Sequence, residues 1–129
     1  MRDKYNNNEW TVSRFNSFIK GALRNASIKW PPKWKTLKAA SVGKKINWRT
    51  SRLAEHYKCN SCNKEFPAKE VQVDHIQPII DPAKGFVNWD VVIENMFCEQ
   101  ENLQVLCLTC HKAKTLAERA ISKGIKDNE

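Results

Sequence analysis

The stretch Leu103-Gln-Val-Leu-Cys107-Leu-Thr-Cys110-His111 sets the organisation of this chain. Its apolar start predicts a short strand, and the Cys-x-x-Cys pair that follows predicts a tight turn around a metal ion. A second pair, Cys59-Asn-Ser-Cys62, lies upstream. Because four thiolates complete the tetrahedral coordination of zinc, the two pairs together predict a structural Zn²⁺ site with four ligands: Cys59, Cys62, Cys107 and Cys110.

The same residues allow a second interpretation. Cys107-Leu-Thr-Cys110-His111 matches the Cys-x-x-Cys-His signature of covalent haem attachment. Haem attachment requires export to an oxidising compartment, and it gives Cys59 and Cys62 no role. We therefore prefer the zinc site.

The chain between and beyond the two cysteine pairs predicts an α+β fold. Residues 71–76, Val-Gln-Val-Asp-His-Ile, alternate as a short strand does, and Asn88 is a good cap for a helix that follows it. From Thr109 to Lys123 the pattern predicts a helix that ends at Gly124. The side chains expected to face inward from this last helix are Leu116, Ala117, Ala120 and Ile121.

Upstream of the first cysteine pair, the pattern is helical and basic. Apolar residues recur at helical spacing from Thr11 to Ala26, and Trp30-Pro31-Pro32 stops this helix. Pro32 can open a second short helix through Ala40, with Trp30 and Trp34 expected in the core. Residues 44–58 are interpreted as a basic loop or extended segment.

Charge is divided unevenly along the 129 residues, whose formal net charge is +8. Residues 1–58 hold 14 Lys/Arg and 3 Asp/Glu, whereas residues 59–129 hold 8 Lys/Arg and 11 Asp/Glu. A basic first half suits phosphate neutralisation, and an acidic second half suits divalent cations. The simpler alternative is a solvated basic surface that keeps the protein soluble.

Cellular location is suggested by what the sequence lacks. No apolar run approaches the length of a membrane span, and the first eight residues have no apolar signal-peptide core. We therefore expect a cytoplasmic protein without a membrane partner. In that compartment thiols stay reduced, which favours metal binding over disulfides.

Four polar residues remain as candidates for a second, open site: Asp74, His75, Asn102 and His111. A carboxylate beside an imidazole combines a hard metal ligand with a group that takes up a proton near neutral pH. Neighbouring strand residues point to opposite faces, so Asp74 and His75 serve one site only if the strand ends or twists there. Taken alone, an Asp-His pair is more often structural, and Asn102 alone indicates nothing.

Taken together, these residues resemble the HNH endonucleases, a family with a ββα-metal (His-Me finger) fold. The matching stretches are Cys59-Asn-Ser-Cys62, Val73-Asp-His-Ile-Gln-Pro78 and Glu101-Asn-Leu-Gln-Val-Leu-Cys-Leu-Thr-Cys-His-Lys-Ala-Lys114. The resemblance covers about residues 57 to 123, and the basic N-terminal part is similar to extensions on free-standing phage nucleases of this type.

The resemblance implies a role for each candidate. His75 is the general base that activates water, and Asn102 orients it by holding the loop after the first strand. Asp74 and His111 bind one catalytic divalent cation, Mg²⁺ or Mn²⁺ or another transition metal. The implied activity is hydrolysis of DNA phosphodiester bonds, by nicking or by double-strand cleavage, leaving 5′-phosphate and 3′-hydroxyl ends.

DNA is the expected partner of the basic surface, through Lys44, Lys45, Trp48, Arg49, Arg52 and Lys114. We expect three segments: a mainly helical DNA-contacting extension (1–56), a nuclease core with structural zinc (57–124) and a polar tail (125–129). A monomer or weak dimer is expected, in the host cytoplasm if phage-encoded, with phage packaging or replication complexes as candidate partners. The alternative function is a non-catalytic zinc-knuckle protein that binds nucleic acid.

Overall fold

The computed structural model describes residues 3–127, which form two compact units with the boundary between Trp30 and Pro31. The protein is a mixed α+β chain, as its sequence predicted. No helix within the described residues is long and apolar enough to cross a membrane.

The first unit contains a tiny two-stranded sheet and one helix. Strands β1 (Lys4–Tyr5) and β2 (Trp10–Thr11) pair antiparallel, and the turn between them has positive φ at Asn6, Asn7 and Asn8. Asparagine tolerates this left-handed backbone better than most residues. Helix α1 (Val12–Ser27) begins at the predicted cap, because the Thr11 side chain accepts a hydrogen bond from the Arg14 N–H.

Within residues 31–127, the second unit contains three α-helices and five strands. Their order is α2 (Pro31–Ala39), β3 (Ser41–Asn47), β4 (Arg52–Lys58), β5 (Glu65–Pro67), β6 (Val71–His75), α3 (Trp89–Met96), β7 (Leu103–Cys107) and α4 (Leu108–Asp127). Strands β3, β4 and β5 form one antiparallel sheet, and β6 and β7 form another.

The segment interpreted as a basic loop or extended chain is a β-hairpin. Strands β3 and β4 pair from Asn47↔Arg52 down to Ser41↔Tyr57, with a bulge between Ser41 and Gly43. Strand β5 pairs only with residues 56–58, so the outer part of the hairpin is two-stranded. The turn at its tip carries Trp48, which is 78% exposed.

Strands β6 and β7 form the sheet that carries the candidate site, and burial of side chains fixes their register. Strand β6 pairs with β7 so that Asp74 lies opposite Gln104 and His75 opposite Leu103. Four of the five β7 side chains are buried, which holds this strand in place. Helix α4 follows β7 without a loop, so the Cys107–Cys110 turn and the helix start share the same residues.

Three expectations about helices and tryptophans were wrong. Trp34, expected in the core, is 61% exposed. Helix α4 does not stop at Gly124 but continues to Asp127. All four α4 side chains expected to face inward are exposed: Leu116 (53%), Ala117, Ala120 and Ile121 (50%). A glycine in a helix costs only about 1 kcal/mol, so the good helix formers around it carry the helix past this position.

Candidate functional site

The four cysteines of the two Cys-x-x-Cys pairs form one cluster. The Sγ atoms of Cys59, Cys62, Cys107 and Cys110 lie within 4.8 Å of one another. Sulfurs bound tetrahedrally to one zinc ion at about 2.3 Å are separated by about 3.8 Å, and Cys62 Sγ lies 4.0 Å from Cys107 Sγ. The cluster could therefore hold a structural metal such as zinc.

Local backbone geometry creates this cluster. The first turn closes by the Asn63 N–H donating to Cys59 O at 3.0 Å, and Asn63 adopts the positive φ that the turn requires. In each turn one backbone N–H points at a sulfur: Ser61 N lies 3.4 Å from Cys59 Sγ, and Cys110 N lies 3.4 Å from Cys107 Sγ. Such N–H groups stabilise thiolates, the form that binds metal.

The pKa values of the cluster reflect the crowding of its thiols. Burial alone would raise the pKa of the Cys59 thiol, but backbone hydrogen bonds at Cys107, Cys62 and Ser61 outweigh burial, and the pKa is lowered to about 6. Hydrogen bonding to the Cys107 side chain raises the pKa of Cys110 to about 12. Four thiols this close cannot all ionise unless a cation joins them.

A second cluster forms around Asp74 of β6. Its Oδ1 lies 3.7 Å from His111 Nε2, at the start of α4, and its Oδ2 accepts a hydrogen bond from Gln104 Nε2 at 3.2 Å. Two ligand atoms about 2.1 Å from one cation are separated by about 3 to 4 Å, so Asp74 and His111 are spaced as ligands of a single ion would be. Their chemistry, one carboxylate oxygen and one imidazole nitrogen, suits several divalent metals.

Lys114 completes this cluster. Three oxygen atoms surround its Nζ: Asp74 Oδ2 at 3.0 Å, His75 O at 2.9 Å and Glu118 Oε1 at 2.7 Å. Burial alone would lower the pKa of Lys114, but its contacts with Glu118 and Asp74 outweigh burial and raise the pKa. An ammonium has three N–H donors, so Lys114 must leave this arrangement to contact a DNA phosphate.

His75 lies at the end of β6 with its imidazole buried, at 9% exposure. Its Nε2 is 2.9 Å from the Met96 carbonyl at the end of α3. A carbonyl only accepts hydrogen bonds, so Nε2 carries the proton and Nδ1 is the nitrogen that can take up another. Burial lowers the pKa of His75 and the Met96 hydrogen bond offsets this only in part, so the ring is neutral near pH 7.

Asn102 fastens the chain that leaves β6. Its side-chain Oδ1 accepts from the Gln77 N–H at 2.9 Å, and its backbone oxygen accepts from the Ile76 N–H at 2.8 Å. The two bonds fix the two residues that follow His75. These are the backbone contacts that the resemblance implied for Asn102; its contribution to catalysis stays a prediction.

The structure brings some candidates together and keeps others apart. Asp74, His111 and Lys114 share one cluster, whereas the His75 imidazole is hydrogen-bonded to α3 instead. This matches the opposite directions expected of neighbouring strand residues. Within residues 3–127, the four cysteines are the only group of three or more Cys, His, Asp or Glu side chains that meets as closely as a metal site requires.

Three contributors were missed from the sequence: Gln104, Glu118 and the Met96 carbonyl. Glu118 follows Lys114 by four residues, so helical spacing was a usable signal for it. Gln104 could be placed beside Asp74 only once the strand register was known. The Met96 contact could not be found from the sequence, because every residue has a backbone carbonyl.

The residues expected to contact DNA lie on the β3–β4 hairpin, apart from Lys114. Lys44, Lys45, Trp48, Arg49 and Arg52 are all exposed. Lys45 pairs with Glu65, and Arg49 pairs with Glu70 at 2.9 Å and lies over the Trp48 ring. None of the ion pairs within residues 3–127 uses Lys44 or Arg52.

Comparisons with protein-family models, with curated proteins and with solved structures found no match to this chain.

Proposed function

We propose that the protein is a metal-dependent DNA endonuclease of the HNH type with a structural zinc ion. The observation that carries this proposal is the contact of Asp74 on β6 with His111 on α4, together with a buried neutral His75 that follows Asp74 in the chain. The order of two antiparallel strands followed by a helix is what the ββα resemblance implies, and it supports the proposal.

His75 acts as the general base. A base must be neutral before it accepts a proton, and the lowered pKa of His75 provides this at neutral pH. Because Nε2 is hydrogen-bonded to Met96 O, Nδ1 accepts the proton of the attacking water. The Asn102 hydrogen bonds to residues 76 and 77 limit movement of the chain next to the base.

Asp74 and His111 would hold the divalent cation, which when bound would stabilise negative charge on the scissile phosphate and the leaving oxygen. Gln104 orients the Asp74 carboxylate through its hydrogen bond to Oδ2. The ammonium of Lys114 balances the Asp74 charge in this structure. Lys114 would be repelled by a cation held at this carboxylate and would then be available to a phosphate oxygen.

A non-catalytic nucleic-acid-binding protein is the second candidate, because the exposed basic hairpin with Trp48 at its tip needs no active site to bind DNA. A binding protein has no need for the cluster of Asp74, His111 and Lys114. This candidate predicts DNA binding with no strand scission in any divalent metal.

Scission of supercoiled plasmid tests the proposal. Wild-type protein is expected to nick or linearise plasmid with Mg²⁺ or Mn²⁺ but not with EDTA, and DNA ligase should reseal the nicks. Asp74→Asn should lower the rate by about a hundredfold or more, since it weakens the cation site. Asp90→Asn, an exposed change outside the site, is the matched control. Plasmid that is bound but uncut in every metal would support the binding protein instead.

A further inference from the structure

A groove of about 520 Å³ opens in the second unit, between the end of α2, the first cysteine turn and β7. Its volume lies within the range of about 300–1,000 Å³ typical of ligand sites. Small apolar side chains line part of it, including Ala39, Val42 and Ile76. Polar side chains line the rest, including Lys58, Asn60 and Gln100.

This groove is one side chain away from the candidate catalytic cluster. Gln104 lines the groove, and its Nε2 donates to Asp74 Oδ2 at 3.2 Å. The Oε1 of the same amide accepts from Asn60 Nδ2 at 2.9 Å, which holds the amide in one orientation. Ile76, which also lines the groove, directly follows His75 in the chain. A DNA strand with a phosphate at Asp74 therefore has the groove immediately beside it.

We infer that the groove is the subsite for a nucleotide adjacent to the scissile phosphate, an inference that rests on the proposed endonuclease function. Three kinds of contact match such a ligand. Lys58 is exposed and belongs to none of the ion pairs within residues 3–127, so its ammonium is available to a phosphate.

The other two contacts match the sugar and the base. The apolar wall of Ala39, Val42 and Ile76 suits the face of a base or sugar. The amide of Gln100 both donates and accepts hydrogen bonds, as recognition of a base edge requires. The subsite thus positions the strand so that its phosphate lies at Asp74, and the Trp48 tip of the hairpin does not line it.

Filling the groove tests this inference. Ala39 is an exposed residue at the end of α2, so Ala39→Trp adds bulk to the groove without overpacking the core. The matched control is Ala22→Trp, which changes an exposed alanine of α1. Each variant is assayed on plasmid DNA and on bis(p-nitrophenyl) phosphate, a small phosphodiester that reaches the metal without occupying the groove.

Ala39→Trp is expected to lower kcat/KM for DNA by about tenfold or more, and to leave hydrolysis of the small phosphodiester unchanged. The double variant Lys58→Gln/Gln100→Ala adds no bulk and should show the same selective loss of DNA cleavage. Cleavage of DNA at the wild-type rate by either variant would overturn the subsite. If the wild type hydrolyses neither substrate in any metal, the endonuclease proposal itself fails and the subsite fails with it.

Discussion

At the scale of single residues, the most consequential contact is that between Lys114 and Asp74. The ammonium lies 3.0 Å from the carboxylate oxygen Oδ2, where a divalent cation bound to Asp74 would repel it. Glu118, 2.7 Å away and one helical turn further along α4, keeps the ammonium there. Lys114 and the cation of the proposed site would therefore compete for one carboxylate.

This competition predicts that Lys114→Met strengthens Mn²⁺ binding to the zinc-loaded protein by about tenfold, because the carboxylate no longer has a competing partner. The titration is read by the electron paramagnetic resonance signal of free Mn²⁺. Lys112→Met is the matched control, because it removes one exposed positive charge from the same helix and Lys112 belongs to no ion pair within residues 3–127. Equal or weaker binding by Lys114→Met, compared with this control, would rule out competition.

The identities of the residues predicted which cysteines come together. They did not predict the hydrogen-bond and ion-pair partners of Lys114 and His75. The two cysteine pairs were placed together because each pair alone leaves a zinc ion half coordinated. The contacts of Lys114 were not foreseen, since a lysine on a basic protein is expected to face solvent or phosphate. The partner of His75 is a backbone oxygen, and only the packing of α3 reveals it.

At the scale of elements, the β3–β4 hairpin is the largest departure from the sequence prediction. Its strands lack a clear apolar alternation, because exposed Lys44, Lys45 and Arg52 share them with exposed Ile46 and Leu53. Helices α1 and α3 were easier to predict, since the Thr11 and Asn88 caps mark their starts. The end of α4 was missed because a single glycine is a weak stop when the residues around it favour a helix.

The hairpin allows a test of phosphate contact that compares basic residues outside ion pairs with basic residues inside them. Lys44→Gln/Arg52→Gln is expected to reduce the salt dependence of DNA binding by about two counterions, with each contact contributing about 0.9 to the slope. Lys45→Gln/Arg49→Gln removes the same charge, but these residues are paired with Glu65 and Glu70, so the slope should change less. Binding is measured by fluorescence anisotropy across a salt series. Equal slopes for the two double variants would contradict this ranking.

At the scale of the whole molecule, the cysteine cluster and the candidate catalytic cluster are parts of one connected structure. Asn60, inside the first cysteine turn, donates to Gln104, and Gln104 donates to Asp74. The first cysteine turn, whose Cys59 belongs to the buried core, thereby also orients a candidate catalytic carboxylate. The uneven charge of the sequence fits this arrangement, since the exposed basic hairpin precedes the first cysteine and the acidic site follows it.

The division into 1–56, 57–124 and 125–129 stays a prediction about function. The compact units of the structure separate at Trp30 and Pro31, so α2 and the basic hairpin belong to the same unit as both candidate sites. The three-segment division rests on charge and motif spacing along the sequence. Charge and motif spacing did not predict the boundary between the two compact units. That boundary depends on tertiary contacts, which no single residue reveals.

The most direct measurement compares plasmid nicking by two histidine variants, His75→Ala and His56→Ala. Both imidazoles are buried, at 9% and 7% exposure, and both are hydrogen-bonded to a backbone carbonyl, Met96 O at 2.9 Å and Ala54 O at 2.8 Å. Loss of either side chain should therefore affect folding similarly, but only His75 is proposed to act as the base. With zinc content equal, His75→Ala should nick at least about a hundredfold more slowly than His56→Ala. Equal nicking rates would contradict the account.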